Sequence, residues 1–258
     1  MHRGILGLAA AVGAGLAGYK LVVEPWWRSW GVSPDEQHRA LPGDEVVPGA
    51  VTAETRGITI AAPPASVWPW LVQMGFGRAG WYSYDQVDME GSSSERILPE
   101  HQSLAVGDVV PTHPGGGFVV QAMEEGRHLV LYLDNELVRT QASEAEAINA
   151  ESPANLRVAG AFMEGAQPPE FNATWAFVLE DLGNGQTRLI ERFRVLFGGD
   201  EAKPWTRFTL PVMGFGVFAM MRKQMLGIRD RAERVLAPAT APATGPASAP
   251  AEVAGQPA

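Results

Sequence analysis

The side chains best able to do chemistry are few and scattered. Glu191 interrupts an apolar set, Leu189, Phe193 and Val195, that shares its strand face by alternation. A carboxylate there is costly unless paired, which leaves three readings: a group that orients a ligand, an acid of raised pKa, or a residue at a sheet edge turned to water by a bulge. In Trp81-Tyr82-Ser83-Tyr84-Asp85, the tyrosines and the aspartate could frame a cavity mouth or brace a loop. His101, His113 and His128 are irregularly spaced with no i, i+4 pair, so no metal site is expected. No serine sits in G-x-S-x-G, and the absence of cysteine removes thiolate nucleophiles, disulfides and Cys-type zinc sites. Asn172-Ala173-Thr174 matches a glycosylation acceptor, which matters only in a glycosylating pathway.

Two glycine motifs fit G-x-G-x-x-G. Gly13-Ala14-Gly15-Leu16-Ala17-Gly18 has no strand before it, and Gly75-Phe76-Gly77-Arg78-Ala79-Gly80 follows what reads as a helix. Dinucleotide binding needs a strand, the loop and then a helix, so neither motif predicts a nucleotide, and no cofactor is expected. A formal net charge of -9 likewise argues against nucleic acid as a partner.

The elements that must position these residues begin after a long apolar run. Gly4 to Val23 carries Lys20 as its single charge, and about 20 helical residues span the roughly 30 Å of bilayer hydrocarbon. Residues 1–24 therefore read as an N-terminal transmembrane anchor rather than a cleaved signal, with Tyr19, Trp26, Trp27 and Trp30 placed as an interfacial aromatic belt. The small residues inside it permit close helix packing and self-association. Basic residues on both sides leave the orientation open. Residues 25–50 read as a juxtamembrane linker rich in proline and charge. Residues 237–258, nearly all Ala, Pro, Thr, Ser and Gly, read as a disordered tail.

Between these ends lies the folded part. Ile58 and Ile60 alternate on one face of a first strand. Pro63-Pro64 then sets a helix start whose stripe, Val67, Trp70, Leu71 and Met74, closes at Gly75, with Pro69 tolerated as part of the first turn. Short strands are expected at Asp108–Val110, Phe118–Met123 and Leu129–Leu133. Thr174–Glu180 and Thr187–Leu196 form a hairpin joined by Asp181-Leu182-Gly183-Asn184-Gly185-Gln186, with Trp175, Phe177 and Leu179 on the inward parity. A last helix starting near Pro211 repeats Phe218, Met221, Met225, Ile228, Ala232 and Val235 at spacings of three and four. Its first half, Pro211 to Met221, is apolar all round and too short to span a bilayer, which favours burial in protein over dipping into lipid.

This order of elements, with Ile58-Thr59-Ile60-Ala61-Ala62-Pro63-Pro64-Ala65-Ser66-Val67-Trp68, the Phe177 to Leu189 hairpin and Met221-Arg222-Lys223-Gln224-Met225-Leu226-Gly227-Ile228, resembles the START/Bet v 1-like (SRPBCC) superfamily, in its bacterial membrane-anchored branch. The resemblance covers roughly residues 25 to 236 and implies an α+β helix-grip fold, a curved antiparallel sheet around a long C-terminal helix, in a domain of residues 51–236. The stretch 134–169 departs from it as an insertion. It also implies an apolar cavity between sheet and helix, lined by Trp81, Tyr82, Tyr84, Trp175, Phe177, Glu191, Phe193, Phe218, Met221 and Met225. The expected function is membrane-tethered binding of a small hydrophobic molecule, lipid or isoprenoid, without catalysis. The alternatives are a polyketide cyclase- or aromatase-like enzyme using Glu191 or Tyr84, and a non-catalytic interaction domain at the membrane.

Overall fold

The computed structural model describes residues 14–15, 17–50, 52–88, 91–113, 116–141, 170–198 and 206–236. Most of the apolar run lies outside them, as do the tail and most of the 134–169 insertion. Among the described residues no helix is long and apolar enough to cross a membrane.

The architecture is α+β. Six strands, β1 (Thr52–Ile60), β2 (Val109–His113), β3 (Gly116–Glu124), β4 (His128–Asp134), β5 (Glu170–Gly183) and β6 (Gln186–Gly198), form one antiparallel sheet of order β1-β6-β5-β4-β3-β2. The β5–β6 hairpin turns on Asn184-Gly185, both at positive φ (55° and 74°), as a two-residue turn matched to strand twist requires. Irregular register in β2–β3 and β3–β4 bends the sheet.

The helices that bear on the site are α1 (Glu24–Arg28), α2 (Pro34–His38), α3 (Pro64–Val72) and the C-terminal α4 (Thr206–Leu236). α4 begins five residues before Pro211, and its 31 residues extend about 46 Å at 1.5 Å each. Its stripe Phe218, Met221, Met225, Ile228 and Ala232 is buried, and from Met221 onward it belongs to one core with Ile58, Ile60, Leu189, Phe177 and Leu179 of the inner sheet face. The expected all-round burial of Pro211 to Met221 does not hold: Phe215 and Val217 are exposed. In α3 the stripe Val67, Trp70 and Leu71 is buried, with Met74 just beyond the helix end. Pro69 is the sixth helical residue, past the first turn, and removes one hydrogen bond there. The helix caps at Gln73 rather than Gly75, because Gly75 is used by the next loop.

The linker segment has structure of its own and covers the outer face. Arg192 donates to the carbonyls of Glu36, Gln37 and Arg39, to Asp44 and to Thr55, while Arg188 pairs with Glu36 at 2.7 Å. Gly31 and Gly57 let this strap touch β1: a Cβ on Gly31 would stand 2.2 Å from the Gly57 carbonyl oxygen. Leu41 packs there against Val178 and Ile190. With both faces covered, odd-numbered β6 residues from Leu189 to Val195 point to α4, and Ile190 and Arg192 to the strap.

Candidate functional site

Glu191 is fully buried at the centre of the inner face, on a strand flanked by β1 and β5. That removes the sheet-edge reading. Two rows of inward side chains define its surroundings: Arg56, Glu191, Phe177 and Leu129 in one, and Glu54, Phe193, Trp175 and Leu131 in the next. The Trp175 indole N–H donates to Glu191 Oε1 at 2.6 Å, and Oε2 is buried with no partner. Burial pushes the Glu191 pKa up from 4.5 to about 7, against the opposing pull of the Arg56 charge and the Trp175 hydrogen bond.

Arg56 is buried to the same degree. Its guanidinium donates to Glu54 at 2.5 Å, to the Trp27 carbonyl at 3.3 Å and to the Met221 sulfur at 3.0 Å, and it lies 5.4 Å from the centre of the Phe218 ring. The Glu54–Arg56–Glu191 network is thus sealed by α1 and α4. A buried charge of this kind is tolerable only when each member is paired, and the lone oxygen of Glu191 is the exception.

Aromatic rings fill the space beside it. Trp175 is central, stacked on Trp81 at 5.4 Å and 15°, with Phe118, Phe177 and Phe193 at 5.6, 5.1 and 6.3 Å. Phe193 and Leu133 are only partly buried, and they mark the end of the sheet at which β1, β3 and β5 begin. Beneath Phe218 to Ile228 the side chains are tightly buried: Met225, Ile228, Phe177 and Leu189 expose no surface, and large rings stand at successive inward positions. Among the described residues, shallow concavities lie between Leu41 and the β3–β4 turn and around Tyr132 and Asp134.

Of the residues singled out by sequence, Trp81, Trp175, Phe177, Glu191 and Phe193 come together, and Phe218 and Met221 border them through Arg56. Met225 is buried in the same core further along α4. Tyr82 turns away, at φ 57°, to donate to the Trp70 carbonyl at 3.2 Å and accept from Gln73 at 2.9 Å. Burial raises its pKa, and both bonds tie it to the C-terminal end of α3. Tyr84 is 44% exposed, and Asp85 accepts from Ser93. Tyr84 precedes, and Asp85 begins, the short helical turn Asp85–Asp88. Glu54, Arg56 and Phe118 were missed, although extending the Ile58–Ile60 alternation backwards by two and four residues reaches Arg56 and Glu54.

The Gly75–Gly80 loop closes on itself. Gly75 and Gly80 exchange backbone hydrogen bonds at 3.1 Å, and the amides of Phe76, Arg78 and Ala79 also donate within the protein. Those donors are not free to cradle a phosphate.

No protein-family model matches the chain, and no curated protein does. Solved structures similar to it include a hypothetical protein of Helicobacter pylori (10% identity, 75% of this chain and 95% of that one, TM-score 0.40). A conserved protein of Geobacillus kaustophilus is also similar (13%, 71% and 96%, TM-score 0.35), as is a polyketide-cyc-like protein of Corynebacterium glutamicum (14%, 74% and 93%, TM-score 0.27). At such similarity none of them lends this chain a ligand or a reaction. The class defined by the chain's own geometry is an α+β, helix-grip-like domain with a buried polar network.

Proposed function

We propose that this domain is a member of the SRPBCC superfamily that binds a small, largely apolar molecule against the Trp81–Phe118–Trp175–Phe193 cluster, with Glu191 as its polar anchor. The observation that carries this is the unpartnered, fully buried Oε2 of Glu191 in a cluster of rings whose Phe193 is only partly buried. A buried acceptor without a partner costs about 1–3 kcal/mol, which a ligand hydroxyl would recover. The ligand class is therefore an alcohol on an apolar skeleton, as in isoprenoid alcohols. Phe193 and Trp81 must swing aside for it, so the pocket forms as the ligand binds. Tethering by the run Gly4 to Val23 suits such cargo, because a sparingly soluble ligand is concentrated in the bilayer.

The test is titration of the full chain with farnesol, followed by tryptophan fluorescence. A saturable change that weakens at least tenfold in Glu191→Gln supports the reading, since the amide alters the anchor while keeping its shape. No saturable response in the wild type overturns it.

One observation favours a catalytic variant: a fully buried acid whose pKa is raised to about 7 is suited to proton transfer. In that variant Glu191 would move a proton on a polyketide-like chain folded against the rings. A rate on such a chain that falls by two orders of magnitude in Glu191→Gln separates it from simple binding.

A further inference from the structure

The crossing of α1 and α4 leaves an apolar patch on the surface. Val22 is 67% exposed, Trp26 54% and Phe215 42%. They form one surface: Val22 precedes Trp26 by a turn, and the rings of Trp26 and Phe215 both rest on Phe218, at 5.4 and 5.8 Å. The patch is held rigidly. Trp27 fills the groove left by Gly214, where a Cβ would stand 2.8 Å from its ring, so the two helices are locked together.

Cations lie to one side of it: Arg222, two turns along α4 from Phe215, stacks on Trp30 at 4.9 Å, and the adjacent Lys223 is exposed. Lys20 and Arg28 pair with Glu24 at 2.7 and 2.8 Å on the other side of the helix that carries Val22 and Trp26. The apolar run Gly4 to Val23 leads directly into this patch.

We propose that Val22, Trp26 and Phe215 are the seat on which the domain lies against an anionic lipid bilayer. Exposed aromatic and aliphatic side chains with cations to one side are what the lipid–water boundary selects. A bilayer that takes up the N-terminal run must come against the residues where that run ends. The inference rests on the tether reading. It adds that the domain is held in one orientation, with the Phe218 ring separating lipid from the Arg56 guanidinium.

The chain has no cysteine, so one label reports one place. The full chain, carrying a nitroxide at Phe215→Cys or at Leu182→Cys in the β5–β6 turn, is mixed with vesicles of equal parts phosphatidylcholine and phosphatidylglycerol. The seat requires the 215 label to collide more with oxygen than with an aqueous nickel chelate, and the 182 label to show the reverse. Flotation with the vesicles while the 215 label stays in water overturns the seat and leaves the tether. Failure to float overturns both. Spin–spin broadening at 215 in place of lipid contact assigns the patch to a second copy and also overturns the seat.

Discussion

Arg56 and Glu191 stand directly opposite each other on β1 and β6, yet no hydrogen bond joins them. Arg56 spends its donors on Glu54, on the Trp27 carbonyl and on the Met221 sulfur. Its charge holds Glu191 down only partly, and burial wins. Two carboxylates therefore share one buried cation, and the one that is not hydrogen-bonded to it is the one whose proton is exchangeable near neutrality.

That arrangement sets a pH dependence with a definite sign. The folded pKa of Glu191 is about 7 against 4.5 for an ordinary glutamate, so between those values the folded state holds more protons than the unfolded one. Its contribution is complete below pH 4.5 and is lost as pH rises through 7, a swing of roughly 3 kcal/mol. Glu191→Gln keeps the acceptor for Trp175 and cannot ionise. Urea unfolding of both proteins across this range should give nearly equal stabilities at the acid end and a variant more stable by up to that amount at pH 8. Parallel curves for the two proteins would refute the buried-acid assignment.

The cation has the opposite role. Arg56→Met removes it at similar volume and leaves Glu54 and Glu191 buried beside apolar groups. Breaking a buried pair in this way costs about 3–5 kcal/mol. The double variant Glu54→Gln, Arg56→Met removes the stranded charge as well and should recover most of the loss. A thermodynamic cycle by guanidinium unfolding measures the coupling, and a coupling near zero would mean that the pair is not sealed as described.

The strap on the outer face makes a separate prediction. Glu36 accepts from Arg188 and from the Ser33 amide, and the Arg188 hydrogen bond holds its pKa down, to about 2. A depressed carboxylate contributes stability above its unfolded value of 4.5 and loses it as pH falls towards 2. Glu36 is partly solvated, so the effect is discounted to about 1–2 kcal/mol. Glu36→Gln should cost that much at pH 7 and nothing near pH 2, as read by thermal unfolding across the acid range.

How much of this was legible in the sequence depended on whether a pattern or a volume was at stake. Strand parity placed Trp175, Phe177, Glu191 and Phe193 on one face, because alternation is a property of the backbone. The same rule would have reached Glu54 and Arg56, but two charges in a strand read naturally as a solvated face until α1 and α4 are known to cover them. How closely the rings pack on one another was not legible at all. Whether Trp81 reaches Trp175 depends on the loop after Gly80, and no local pattern fixes that distance. Tyr82 and Tyr84 are indistinguishable by type; a backbone φ of 57° at Tyr82 sends one inward and leaves the other in water.

The contact that fixes α4 on the body of the domain lies at that same turn. Gly227 faces the Tyr82 backbone, and a Cβ there would stand 2.3 Å from the Tyr82 carbonyl oxygen and 2.9 Å from its Cβ. Intrinsic helix propensity favours alanine over glycine by about 1 kcal/mol in a helix interior, so at an ordinary position Gly227→Ala would stabilise. Here the obstacle is backbone and cannot rotate away. Either α4 moves off or the strained Tyr82 turn gives, which weakens the hydrogen bond from Ser83 to the Met220 carbonyl (3.0 Å) and the Arg231 contact with the Tyr82 ring (4.7 Å). Overpacking of this kind costs about 1–3 kcal/mol, so Gly227→Ala is expected to destabilise. Gly216→Ala, on the same helix with nothing within 4 Å of the added carbon, should stabilise. Opposite signs for two identical substitutions in one helix, read by chemical denaturation, would locate the grip of α4 at Tyr82; equal signs would show that the helix is held elsewhere.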